Sequence, residues 1–279
     1  MPEDKYNSVW VSHSSMGDFL KCPRLYFLRN IYKNARGNKI NIITPALSLG
    51  QAVHGVLEGL SQYKVEERFL KPLQSSFEEE WQKVSGKKGG FKDIKIEEEA
   101  KERGKNMIAR VVKNPGPLLN KTIKIKEGHN GTPPHFYLSE EENIILCGRI
   151  DWLEYIEKDD SIRVIDFKTG KNKEEKKSLQ LPIYSLLLNA LQKRKVSGAS
   201  YWYVDKDDEP MLIDLPEAVE SKEKVLSIAR IVKIAREKTA FSCPYGRGGC
   251  FSCRPFEKII SGEAEFVGVG DYGAEMYII

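Results

Sequence analysis

The sequence predicts a mixed α/β protein, a β-sheet core dressed with helices that come first in the chain. Three observations carry that class. The apolar spacing follows a helical period in the first part of the chain and then changes to short runs rich in Ile, Val, Tyr and Trp. One apolar segment between those runs, Ser178–Leu191, is long enough to be a crossover helix. At 279 residues, 41% hydrophobic and 30% charged, the chain can bury a sizeable core and falls outside the disordered and membrane-spanning classes.

Taken in order, Ser12–Lys33 reads as helical, with Ser14 or Ser15 as cap and Phe19, Leu20, Tyr26, Phe27 and Ile31 as its apolar side. Pro23 predicts a break within it. Thr44–Tyr63 is a second helix with the stripe Leu49, Val53, Leu57 and Leu60. Residues 64–115 are charged and helical, interrupted at Ser85–Gly90, and are expected to form an insertion or lid ending at Asn114-Pro-Gly-Pro117. Strands are expected over Thr122–Lys126, Asn143–Glu154, Ser161–Lys168, Ala199–Val204 and Met211–Leu215, followed by a helix over Glu217–Thr239. The tail, Phe241–Ile279, reads as loop. The organisation is therefore a basic segment 1–43, a helical region 44–120, a core 121–240 and a cysteine-rich tail 241–279.

Charge is uneven. There are 44 Lys and Arg against 40 Asp and Glu, a net charge of +4. Residues 1–40 hold seven basic and three acidic groups, which accounts for the whole excess, and Tyr26, Phe27 and Tyr32 are interleaved with them. Such a segment suits phosphates and unstacked bases, or is the solvated face of an amphipathic helix. No apolar run approaches the roughly 20 residues of a spanning helix, and the N-terminus lacks a signal-peptide core, so no membrane association and a cytoplasmic location are expected. Five cysteines, unevenly placed, argue against a disulfide scaffold.

The chemistry concentrates in one expected hairpin. Pairing about a turn centred between Lys158 and Asp159 sets Asp151 opposite Asp166, with Cβ atoms about 5 Å apart. Lys168, two residues further on, projects from the same face. Opposed like charges are destabilising, and strands as apolar as Ile162–Phe167 are usually covered. A buried acid pair needs a counter-ion; carboxylate oxygens suit Mg²⁺ or Mn²⁺, the alternative being a surface ion cluster. Two further pairs share helix faces: His54 with Glu58, where Gly50 one turn earlier permits close approach to the sheet, and Gln180 with Tyr184. Either pair alone reads equally well as ordinary helix decoration.

In combination these pieces resemble the RecB-like branch of the PD-(D/E)XK nuclease superfamily. The matching residues are Ser12-His-Ser14 with Cys22-Pro-Arg24, Gly50–His54, Gly148-Arg-Ile-Asp151, Ile165-Asp-Phe-Lys-Thr-Gly170 and Gln180-Leu-Pro-Ile-Tyr184. The resemblance implies a restriction-endonuclease-like core and a metal held by His54, Asp151, Asp166 and the carbonyl of Phe167. It implies that Lys168 positions or activates the attacking water, and that Gln180 and Tyr184 orient Lys168 or the nucleic-acid strand. Arg24 is the candidate phosphate contact, and Tyr26 is grouped with it as nucleic-acid-binding.

Cys243, Cys250 and Cys253 form C-x₆-C-x₂-C, and Cys22 lies far upstream. Several RecB-like nucleases, including the AddB type and CRISPR-associated relatives, join four such thiols with a 4Fe–4S cluster. Their tail usually runs C-x₂-C-x₅-C; here the third position falls on Ile259 and Cys243 stands upstream instead. Four thiolates suit 4Fe–4S or Zn²⁺; the resemblance makes a 4Fe–4S cluster the expected occupant and Zn²⁺ the alternative. Cys147, among isoleucines, reads as a small buried hydrophobe. The implied function is a Mg²⁺- or Mn²⁺-dependent deoxyribonuclease, an exonuclease on single-stranded ends. The alternatives are an endonuclease or end-trimming factor in a larger complex such as CRISPR spacer acquisition, and a silent DNA-binding subunit. No P-loop motif is present, so unwinding would need a partner such as a helicase or another repair protein.

Overall fold

The computed structural model describes residues 8–175, 178–270 and 273–279. Val9–Val11 (β1) leads into His13–Lys21 (α1), which is capped by Ser12 rather than by Ser14 or Ser15. The Ser12 hydroxyl accepts from the Ser15 amide while the Ser15 hydroxyl accepts from the Ser12 amide, so two end donors are satisfied reciprocally. The break expected at Pro23 is present: Cys22 is extended, and Pro23–Tyr26 (α2) starts afresh before a π-helical turn over Phe27–Ile31.

Ile40–Ile42 (β2) precedes Pro45–Gly59 (α3), capped by Thr44, then Leu73–Val84 (α4) and Ile94–Lys113 (α5). His135–Ser139 (β3), Ile144–Cys147 (β4), Trp152–Ile156 (β5) and Ser161–Lys168 (β6) follow. The chain continues through Gln180–Leu191 (α6), Lys195–Tyr203 (β7), Met211–Ile213 (β8) and Ala218–Glu237 (α7). It ends with Arg254–Ile260 (α8), Glu265–Val269 (β9) and Glu275–Ile278 (β10).

Among the described residues the strands form three small mixed sheets, ordered β1-β4-β3, β2-β10-β9 and β5-β6-β7-β8. β6 runs antiparallel to β5 and parallel to β7, with α6 as the crossover. Alternation on β6 divides its side chains. Ile165 and Phe167 face the core built by α3, α4 and α5. Ile162 and Val164 face the cluster that includes Tyr184 and Leu188 of α6. Asp166 and Lys168 continue the α6 side.

Residues 64–115, expected as an insertion or lid, contribute to the core: Phe77, Trp81, Met107 and Ile108 are buried in one cluster with Leu49, Val53 and Val56 of α3. Three expectations are corrected. Asn143–Glu154 is two strands in two sheets, parted at Gly148–Asp151. Thr122–Lys126 contributes only an isolated bridge, Thr122 to Glu154. The tail is structured, because β10 pairs with β2 and β9 and α8 packs beside them. Among the described residues no helix is long and apolar enough to cross a membrane.

Candidate metal and catalytic centre

The β5–β6 register pairs Trp152 with Ile165 and ends at Ile156 with Ser161, which sets Asp151 opposite Asp166. Asp151 stands one residue before β5, at the sheet end that both α3 and α6 reach. Its Oδ2 accepts from the Phe167 amide at 2.9 Å and lies 3.6 Å from His54 Nδ1. His54 Nδ1 is also 2.8 Å from Glu58 Oε1, one turn along α3. Gly50 permits this proximity, since a Cβ there would lie 3.2 Å from Thr169 Oγ1 at the end of β6.

Across the face, Asp166 is buried. Its Oδ1 accepts from Gln180 Nε2 at 2.6 Å and from the Tyr184 hydroxyl at 2.7 Å. Lys168 Nζ forms an ion pair with Oδ2 at 2.7 Å. Lys168 Nζ also donates to Gln180 Oε1 at 2.6 Å, lies 3.3 Å from Glu174 Oε2 and sits 5.0 Å from the centre of the Tyr201 ring. The face is reached through a cleft of about 450 Å³, lined also by His13, Arg149 and Thr169. From α5, Arg103 donates to the Thr169 carbonyl at 2.8 Å and pairs with Asp205, fixing the chain just past Lys168.

Crowding of charge shows in the titration behaviour. Burial first, and the neighbouring Asp166 charge second, push the Asp151 carboxyl up to about 7. Burial opposes charge on His54, yet the Glu58 hydrogen bond and the Asp151 carboxylate outweigh it and raise the imidazole to about 9. Lys168 is likewise disfavoured by burial but held above its usual range by Asp166 and Glu174. These are acids and cations that lean on one another at a site short of positive charge.

The donor set fits a hard dication. One nitrogen or oxygen each from His54, Glu58 and Asp151 lie within 4.8 Å of one another. Of the expected ligands, the structure gathers His54 and Asp151 with Glu58, which sequence reasoning put on the His54 face without making it a donor. Asp166 stands outside that triplet. Phe167 lines the cleft with its amide engaged by Asp151 and its ring buried beside Trp202. Glu174 was missed; it lies in a loop after β6, where spacing carries no signal. His13, in the Ser12-His-Ser14 run, places its Nε2 3.3 Å from Ser178 Oγ.

The two expected nucleic-acid contacts are both engaged within the protein. Tyr26 is 1% exposed and its hydroxyl accepts from Arg236, so it presents no face for a base to stack on. Arg24 is engaged by Glu257 through two hydrogen bonds of 2.6 and 3.2 Å, which occupy the edge a phosphate would use. Arg29 and Arg36 are also paired, with Asp18 and Glu275. The basic excess of the first forty residues is thus partly internal wiring.

A second centre lies apart from the cleft. Cys22, Cys243, Cys250 and Cys253 converge, consistent with a metal or iron–sulfur site. Burial opposes ionisation of Cys250, but amides of Cys253 and Ser252 outweigh it and lower the thiol to about 6. Burial pushes Cys253 up to about 12. Cys147 is separate and half-buried, its thiol donating to the Val11 carbonyl.

Residues 10–255 match the family described as the PD-(D/E)XK nuclease superfamily. The chain belongs to that superfamily, whose name makes nucleic acid the substrate class. No curated protein matches the chain.

Proposed function

We propose that the protein is a Mg²⁺- or Mn²⁺-dependent deoxyribonuclease of the RecB-like branch, an exonuclease acting on single-stranded DNA ends. One observation carries the reading. Two aspartates and a lysine occupy one end of a sheet, beside a His–Glu pair, at the floor of an open cleft.

In this reading His54, Asp151 and Asp166 hold the ion, with Glu58 orienting His54 or joining it. A dication bound there lowers the pKa of a coordinated water and polarises the phosphoryl oxygen. The protein's own groups do the rest. Gln180 and Tyr184 clamp Oδ1 of Asp166, leaving Oδ2 to the Lys168 ammonium. Gln180 at the same time holds Lys168. The Lys168 ammonium is a compact cation aimed at the charge that grows on the scissile phosphate. Arg149, at the cleft rim, is within reach of a neighbouring phosphate.

The test uses end-labelled linear and closed circular single-stranded DNA, with Mg²⁺, Mn²⁺ or EDTA. Loss of the linear form alone, abolished by EDTA and by Lys168→Ala, is the expected outcome. Cutting of the circle would assign an endonuclease instead. Binding without cleavage under either metal would assign a silent DNA-binding subunit.

A further inference from the structure

The four converging thiols take no part in the chemistry above, and the spacing of their sulfurs bears on what they hold. Cys22 stands at the α1–α2 junction, Cys243 in the loop after α7, and Cys250 and Cys253 at the approach to α8. All four Sγ atoms lie within 4.8 Å of one another, and those of Cys250 and Cys253 are 3.7 Å apart. Thiolates bound to one tetrahedral ion at about 2.3 Å stand about 3.8 Å from each other. A four-iron cubane places each thiolate outside an iron corner, which spreads the sulfurs to roughly 6 Å. The observed spacing falls short of the cubane's, and the Cys250–Cys253 pair has the single-ion value.

The surroundings agree. Cys22 and Cys253 are fully buried among Leu25, Leu28, Ile40 and Phe256. The Cys250 amide donates to Cys253 Sγ at 3.2 Å, so the backbone turns back over the sulfur as an outer-sphere donor. Gly249, at φ +66°, makes that turn possible: a Cβ there would lie 3.0 Å from the same sulfur. Soft thiolates select zinc over the harder ions suited to the carboxylate cleft. Four protein ligands also leave no open position for a water or substrate.

We propose that Cys22, Cys243, Cys250 and Cys253 bind one Zn²⁺ as a closed structural site that staples the N-terminal helices to the tail. Each thiol that ligates loses its proton to solvent, and no electron is transferred. The staple acts alongside the Arg24–Glu257 ion pair, which joins the same two segments. The proposal is independent of the nuclease reading.

The test is metal content of the full chain, purified without oxygen from cells supplied with both iron and zinc. The expected result is about one zinc per chain, no iron or acid-labile sulfide, and a colourless solution. Cys253→Ser should lose the zinc and Cys147→Ser should keep it. Replacement of zinc by cobalt should give the ligand-field bands of a tetrahedral thiolate site. Iron and sulfide near four per chain with a broad band around 400 nm would overturn the proposal. So would metal-free protein with reactive thiols, or zinc that depends on Cys147. Should Cys253→Ser fail to fold, the metal content of the unmodified protein decides alone.

Discussion

The cleft at the end of β6 and the thiol cluster at the tail are both built where distant parts of the chain meet, but they are built oppositely. The cleft gathers oxygen and nitrogen donors on an open face and crowds four carboxylates against two cations. The cluster gathers four sulfurs, those of Cys22 and Cys253 buried in an apolar shell, and turns backbone amides toward them. An open, charge-crowded site suits chemistry, and a closed, fully ligated one suits architecture. The difference teaches that losses at the first should appear in rate, and losses at the second in stability.

Lys168→Ala should separate the two most strongly. Cleavage should fall about a thousandfold, while the melting temperature falls by only a few degrees, the cost of leaving the buried Asp166 carboxylate without its counter-ion. Single-turnover kinetics beside calorimetry checks both halves. Cys253→Ser should do the reverse, lowering the melting temperature by roughly 10 °C through loss of the staple. A thermal scan with unchanged melting would break the contrast.

Glu58→Gln sharpens the first centre. If Glu58 orients His54, its loss should weaken divalent-ion binding roughly 10- to 100-fold without abolishing it, read by calorimetric titration with Mn²⁺. The smallest expected effect concerns the tail strand. Burial works against the Glu275 carboxylate, but Tyr277, Asn38, Asn34 and Arg36 hold it down to about 2 against an ordinary 4.5. Its charged form stabilises the fold, fully above 4.5 and progressively less as pH falls toward 2. The melting-temperature gap between wild type and Glu275→Gln should close over that window.

Legibility in the sequence followed the range of the contacts. The β5–β6 register could be read because a short turn ties the strands, leaving one pairing that opposes Asp151 and Asp166. The crossover helix α6 was legible from its apolar run, and the break at Pro23 from its missing amide. The tail was not, because the partner of β10 is Ile40–Ile42 near the other end of the chain, and its local pattern is short and interrupted by Gly268. The core role of 64–115 was hidden for another reason. Phe77 with Trp81, and Met107 with Ile108 and Val111, sit at helical spacing, but a dense charged face around them suggested a solvated cover. The burial of Tyr26 was hidden similarly: an aromatic among cations is a base platform only if it is exposed.

The central claim is that the side chains around Asp151 and Asp166 grip one catalytic ion. Its most direct test is Mn²⁺ binding followed by electron paramagnetic resonance, with cleavage measured on the same samples. The account predicts one bound Mn²⁺ in the cleft of the wild-type chain, and loss of both the ion and cleavage in Asp151→Asn. Cleavage that persists in Asp151→Asn, or a wild-type chain that cuts DNA without binding the ion, would contradict it.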